Sequence, residues 1–282
     1  MQPLLSTDFG VKMTSLARLF DSLRNARRKA FIPFMTAGDP DPQTTREAVR
    51  RLVLAGASVV ELGFPYSDPI ADGPVIQASY TRALSKKPSM ETLLSLCSSM
   101  KDDSLIQPVP RLGMLSYSLI HRRGPEKFVQ DAASSGLSGL IVPDLPVEES
   151  IELRPLCAKS GIDLILLVTP TTPRDRALRI LEACSGFVYC VSITGITGER
   201  SELPASLIDQ LGWLRDQTNL PLCVGFGVSR PDQVAMLRTH VDGVIVGSAL
   251  VRHLERIPSE GMNAALDSIE ALARSLCSAV NP

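Results

Sequence analysis

Two carboxylates in this 282-residue chain stand where carboxylates invite chemistry: Glu61 and Asp72, at either end of the stretch ELGFPYSDPIADGP (61–74). Glu61 follows Val59 and Val60 and precedes Leu62, so it interrupts an apolar run. Desolvating a carboxylate there is costly and raises its pKa towards the range of a general acid or base. The same position also suits a structural carboxylate satisfied by a neighbouring lysine, arginine or backbone donor, and the residues alone leave the two readings level. Asp72 comes eleven residues later, in a segment shaped by Pro65, Pro69, Gly73 and Pro74 that is long enough to fold back, so both acids could flank one substrate. Asp beside Pro or Gly also serves as a turn residue, and for Asp68 alone that plainer use is the better reading.

A second signal comes from glycines at the ends of apolar runs: GITG (195–198), GFG (225–227) and Gly247-Ser248. Backbone N–H groups at such sites can approach a phosphate closely, and Gly247-Ser248 can open a short helix whose N-terminus favours an anion. Neither a Walker-type Gly-Lys-Ser nor a GxGxxG occurs, which points to a small phosphorylated compound rather than a nucleotide. The three histidines, His121, His240 and His253, fall in helical or post-strand segments and read as surface or structural residues, so a His-rich metal site is not expected. No GxSxG is present and no cysteine lies beside an evident base, which leaves acid–base chemistry by carboxylates.

These residues need elements to hold them. Strand-like apolar runs occur at 31–38, 58–63, 111–117, 139–144, 163–170, 187–193, 221–227 and 241–248, making eight. Helical patterns alternate with them: Val49, Leu52 and Val53 behind Asp41-Pro42; Ile180 and Leu181 with Leu178 behind Thr172-Pro173; and Leu207, Ile208, Leu211 and Leu214. Strands that are apolar throughout imply a parallel sheet covered on both faces, and eight βα units at this length predict an α/β fold of the (β/α)₈ TIM-barrel class. Leu16, Leu19, Phe20 and Leu23 predict an extra N-terminal helix over 16–25, and 75–103 an extra helical segment after strand 2. We expect a single domain over 1–282, with 1–13 a possible frayed extension. In such barrels the active site lies at the C-terminal strand ends, which selects Phe34 and Thr36, Glu61, Asp144, Tyr189 and Thr197, Gly225-Phe226-Gly227, and Gly247-Ser248.

Composition narrows the partners. With 44% hydrophobic and 21% charged residues, and 29 Lys plus Arg against 30 Asp plus Glu, the chain offers no bulk attraction to nucleic acid or acidic membranes. No apolar run reaches the ~18 residues of a membrane span, and no secretory leader is evident. Six cysteines without a CxxC pair read as small buried hydrophobes of a reducing, cytoplasmic compartment.

The segments PFMTAGDPDP (33–42), ELGFPYSDPIADGPVIQ (61–77), LIVPDLPVEES (140–150), VSITGITGER (191–200), VGFGVS (224–229) and VGSALV (246–251) together resemble, in order, the tryptophan synthase alpha chain family. The resemblance covers about residues 14–275. It implies a lyase that cleaves indole-3-glycerol phosphate by a reversed aldol reaction. On that resemblance Glu61 is the acid–base residue at indole C3, and Asp72 stabilises the charge developing at the indole N–H. On the same resemblance Phe34, Tyr189, Thr197 and Phe226 are substrate-binding residues, with Phe34 and Tyr189 as walls of the indole pocket and Thr197 holding Asp72 in its productive pose; barrel packing is the plain alternative for each aromatic and a strong one for Phe226. Gly198, Gly227, Gly247 and Ser248 bind the phosphate. It further implies no cofactor in this chain, a pyridoxal-phosphate-dependent beta chain as partner in an α₂β₂ assembly, and Asp68 at the interface. Ser116 and Ser118 depart from the family's usual Tyr-x-Asn after strand 3, and Ile193-Thr194-Gly195-Ile196 from a frequent Arg-Ala-Gly-Val. On residues alone, another sugar-phosphate barrel enzyme or a mainly regulatory, activating subunit are the competing readings.

Overall fold

The computed structural model describes residues 13–69, 72–192 and 203–282. From the N-terminus, α1 (Ser15–Asn25) leads to β1 (Ala30–Thr36), α2 (Pro42–Leu54), β2 (Val60–Gly63), α3 (Pro74–Ser85), α4 (Met90–Ser99), β3 (Arg111–Met114), α5 (Tyr117–Arg123), α6 (Pro125–Ser134) and β4 (Gly139–Ile141). Then come α7 (Ser150–Ser160), β5 (Asp163–Ile165), β6 (Leu167–Val168), α8 (Arg174–Ala183), β7 (Val188–Val191), α9 (Ala205–Gln217), β8 (Leu222–Gly225), α10 (Pro231–Leu237), β9 (Gly243–Val246), α11 (Ser248–Val251), α12 (Ile257–Glu260) and α13 (Met262–Val280).

Every strand pairing is parallel, in the order β5-β4-β3-β2-β1-β9-β8-β7-β6. The two ends of that order, β5 and β6, are halves of one run of chain, so the sheet closes into a barrel through its own backbone. The expected fifth strand is thus present but broken at Leu166, whose N–H turns to Cys184 Sγ at 3.3 Å while its carbonyl accepts from Tyr189 N–H at 3.1 Å. The first half ladders with β4 and the second with β7. Helices cover the outside, and the near-continuous burial of β1, β2, β3 and β8 is what their apolar runs require.

Other differences are local. Strand 3 stops at Met114 rather than running to residue 117, because the Ser116 hydroxyl accepts the Ser118 N–H at 3.1 Å and starts α5. The following crossover is split into α5 and α6 by Gly124, at φ 88°, and Pro125. Leu178, grouped above with the apolar face of its helix, is 40% exposed and faces solvent, while Ile180 and Leu181 carry the packing. The N-terminal helix forms as expected: the Thr14 hydroxyl accepts from Ala17 N–H, and Leu16, Phe20 and Leu23 are buried. Phe20 meets Phe187 at 5.9 Å between ring centroids, so α1 lies under the N-terminal ends of the strands, at the end opposite the predicted site. Two helices, α3 and α4, follow β2 as predicted. No helix among the described residues is long and apolar enough to cross a membrane.

One buried ion pair fixes the mouth-side elements. Arg82 on α3 donates from Nε and Nη2 to both oxygens of Asp39, at 3.0 and 2.7 Å, and also approaches Glu255 at 3.5 Å beyond β9. Asp39 is fully buried, and burial raises its pKa against the lowering effect of Arg82. Nearby, the Thr36 and Ser79 hydroxyls bond at 2.6 Å, so Thr36 ties β1 to α3 rather than facing an open mouth. Removing Arg82 would strand a buried carboxylate. Arg82→Ala is expected to cost about 3–5 kcal/mol in urea unfolding followed by fluorescence of the sole tryptophan, Trp213, and adding Asp39→Asn to recover much of it. A loss too small to measure would contradict this role for the pair.

Candidate active site

Glu61 occupies the second position of β2, paired in register with Phe34 on β1 and Leu112 on β3. It is 1% exposed, and neither carboxylate oxygen finds a hydrogen-bond partner among the described residues. No cation among the described residues compensates it, so nothing there satisfies it as a structural carboxylate. Burial, and after it the charge of Asp72, push its pKa up to about 8. At neutral pH Glu61 therefore holds a proton, which is the state a general acid needs.

Asp72 is positioned by the start of α3. Gly73 precedes the helix and Pro74 opens it, with φ preset for the first helical position. The Asp72 N–H donates to the Pro69 carbonyl at 3.1 Å, and Gln77 Nε2 reaches back to the carbonyls of Asp72, at 2.7 Å, and Pro69, at 3.3 Å. Asp72 does form a turn, as its neighbours suggested, yet its side chain is half-buried and turned towards the barrel. Its charge is felt by Glu61, Tyr80 and Tyr189. Burial raises its pKa to about 6, opposed by the Tyr66 hydroxyl, which donates to Oδ2 at 3.5 Å. Asp72 is thus mostly ionised at neutral pH while Glu61 is mostly neutral.

Aromatic rings wall this pair. Phe34 and Tyr189 are buried, and Tyr189 packs against half-buried Phe226 at 5.7 Å between centroids. The close approach of the rings depends on two glycines. A Cβ on Gly63 would lie 2.3 Å from Phe34 Cζ and 2.8 Å from the Tyr80 hydroxyl, and one on Gly225 would lie 2.4 Å from the Tyr189 hydroxyl. The sequence reading passed over Tyr66 and Tyr80, which stack edge to face at 5.5 Å behind Asp72. Tyr66 lay inside the quoted motif and so had a signal, whereas Tyr80 lies within α3, where helical spacing reads as packing.

The glycine ends converge on the same mouth. After β8, Phe226 and Gly227 both have left-handed backbone, φ 68° and 83°. After β9, Gly247 comes near Phe34, where a Cβ would sit 3.4 Å from the Phe34 Cβ, and Ser248 begins α11. Thr197 and Gly198 lie outside the described residues. Asp144 stands beyond β4 rather than at its tip. It is exposed, and its carboxylate accepts the Ser116 hydroxyl at 2.6 Å and the Tyr117 N–H at 2.8 Å. Asp68 is exposed on the rim of a groove of about 970 Å³ that Ser116, Ser118, Arg122 and Asp144 also line. His121 and His240 are exposed and His253 is half-buried on a turn after α11, and none of them is among the groups that perturb Glu61 or Asp72. Among the described residues no cluster of His, Cys, Asp or Glu could hold a metal ion.

A neutral acid beside an ionised one, at the C-terminal end of a (β/α)₈ barrel with glycine turns after its last two strand positions, defines an acid–base barrel enzyme. The sequence profile of the tryptophan synthase alpha chain family matches residues 20–281. A tryptophan synthase alpha chain from Rhodopirellula baltica is 49% identical over 261 residues, covering 93% of this chain and 94% of that one. One from a Picosynechococcus species is 44% identical, covering 94% and 100%. The crystal structure of tryptophan synthase subunit alpha from Legionella pneumophila superposes with a TM-score of 0.87 at 32% identity, covering 96% of this chain and 99% of that one. The chain belongs to the tryptophan synthase alpha chain family.

The raised pKa of Glu61 links stability to pH. Folding favours its protonated form, so its contribution is fully present below the ordinary value of 4.5 and is lost as pH rises through about 8. Glu61→Gln keeps the shape without the charge. Its stability relative to the parent chain is expected to grow between these pH values, reaching on the order of a few kcal/mol, measured by urea unfolding across the range. A difference independent of pH would contradict a buried, protonated Glu61.

Proposed function

We propose that Glu61 and Asp72 carry out the alpha reaction of tryptophan synthase on a single (β/α)₈ domain spanning 1–282. The family's alpha chain is the lyase subunit that cleaves indole-3-glycerol phosphate in tryptophan biosynthesis. The observation that carries the assignment of roles is the opposite protonation of two neighbouring acids in one aromatic-walled mouth. Neutral Glu61 donates its proton to indole C3, leaving a cationic indolenine whose N–H charge ionised Asp72 stabilises. The resulting Glu61 carboxylate then takes the proton of the substrate hydroxyl next to the ring as the carbon–carbon bond breaks. The bond's electrons restore the indole, the hydroxyl carbon becomes the aldehyde of glyceraldehyde 3-phosphate, and Glu61 ends protonated again.

Phe34, Tyr189 and Phe226 would hold the indole plane. Tyr66 would keep Asp72 directed at it, and Thr197 would support Asp72 from the loop after β7. Gly198, Gly227, Gly247 and Ser248 would supply donors to the phosphate. The alpha chain itself uses no cofactor; the pyridoxal phosphate of tryptophan synthase belongs to the beta chain, its partner in an α₂β₂ assembly. Asp68 and the groove beside it face that partner in this reading, and the paired serines Ser116 and Ser118 give the contact a smaller side-chain surface than the Tyr-x-Asn pattern. A cytoplasmic location is consistent with six free cysteines, five of them buried.

Indole release from indole-3-glycerol phosphate, with and without a beta chain, tests these roles. Glu61→Gln is expected to lower kcat by about 10²–10⁴-fold with KM little changed, as loss of a positioned proton donor does. Asp72→Asn is expected to lower kcat by roughly 10²-fold or more, as loss of a charge aimed at the transition state does. Unchanged turnover in Glu61→Gln would remove it from the acid role. Turnover of a sugar phosphate lacking the indole, with none of the indole substrate, would overturn the substrate assignment.

A further inference from the structure

Ser192 closes β7 at its mouth end and is 1% exposed, yet neither acid nor aromatic wall accounts for it. Its backbone N–H donates to the Gly225 carbonyl at 3.0 Å, and its hydroxyl donates to the same carbonyl at 3.0 Å while also reaching the Phe226 carbonyl. One buried hydroxyl, with a single proton, thus holds two successive carbonyls of the turn after β8. In a trans peptide the N–H of the next residue points opposite to the carbonyl. Turning the Gly225 and Phe226 carbonyls onto Ser192 therefore turns the N–H groups of Phe226 and Gly227 away from it. Neither of these N–H groups has a protein acceptor among the described residues, and with Phe226 half-buried and Gly227 exposed both donors are accessible to a ligand.

The conformation held in this way is one that Phe226 would not choose. Its φ of 68° is left-handed, a region that non-glycine residues enter at a cost and that persists where the surroundings impose it. Gly225 cannot be replaced to ease it, since a Cβ there would run into Tyr189. The constraint falls on Ser192.

We propose that Ser192 is a positioning residue for phosphate: its hydroxyl fixes the Gly225-Phe226-Gly227 turn so that two adjacent backbone N–H groups are presented to the phosphate ester, apart from the acid–base pair. The inference rests on the reading of Gly227 as a phosphate donor. It assigns the left-handed backbone of Phe226 to anion binding, in addition to the ring's part in walling the indole.

Because the cleavage is reversible, the two half-substrates separate this role from a general structural one. In the condensation of indole with glyceraldehyde 3-phosphate, Ser192→Ala is expected to raise KM for the phosphate ester about tenfold, the scale of hydrogen bonds to a charged group, and to leave KM for indole unchanged. Affinity for unreactive glycerol 3-phosphate, measured by calorimetry, should weaken by the same factor. Ser192→Cys, close in volume with a weaker donor, should fall between the two and serves if the alanine variant does not fold. Equal losses for indole and the phosphate ester, or no loss for the ester, would overturn the role of Ser192. Failure of the parent chain itself to bind glycerol 3-phosphate would instead overturn the phosphate reading on which it rests, and the inference with it.

Discussion

A carboxyl group sealed inside a barrel with no hydrogen-bond partner is tolerable only as the neutral acid, because an isolated charge in that environment would cost far more than any packing could return. Glu61 is held in that state by its surroundings. Strands β1 and β3 flank it in register, and it is almost wholly shut off from solvent, with no cation against it among the described residues. The nearest relevant charge, Asp72, is of the same sign and reinforces the proton's retention. Burial on rigid strand and repulsion from the following loop act in the same direction, and the useful acidity of Glu61 follows from both.

The rest of the mouth is arranged around this pair by exclusion as much as by contact. Gly63 and Gly225 leave room in which the rings of Phe34, Tyr80 and Tyr189 approach the backbone, so the walls are close without strain in the strands. On the other side, Arg82 links α3, the helix that carries Asp72 at its start, to Asp39 after β1 and to Glu255 after β9. The loop acid is thereby referenced to β1 and to β9, the strand that leads into Gly247. A shift of α3 would move Asp72 relative to β1 and β9 at once, which makes the Asp39–Arg82 pair a geometric constraint on the acid pair as well as a stabilising one.

Much of this was legible in the residue order. The alternation of apolar runs and helical patterns leads to the barrel, and Glu61 is conspicuous because its neighbours are Val59, Val60 and Leu62. What escaped the sequence depends on three-dimensional proximity. The break at Leu166 arises from a bond to Cys184, eighteen residues away, and no local pattern marks it. Thr36 and Asp144 qualified by lying near strand ends, but the first is sealed against Ser79 and the second is spent on the start of α5. Tyr80 was hidden by its place in a helix, since periodicity there indicates packing and cannot show that the ring edge meets Tyr66 behind Asp72.

The protonation of Glu61 is the claim on which acid catalysis, the division of labour with Asp72 and the pH linkage all depend. Carbon-13 NMR of the chain labelled at glutamate carboxyl carbons, with the Glu61 signal assigned by its absence in Glu61→Gln, reads it directly. The expected result is a neutral carboxyl at pH 7 that titrates with an apparent pKa near 8, and that titrates lower in Asp72→Asn because a like charge has been removed. A Glu61 signal already ionised at pH 7, titrating in the ordinary carboxylate range and indifferent to Asp72, would contradict it.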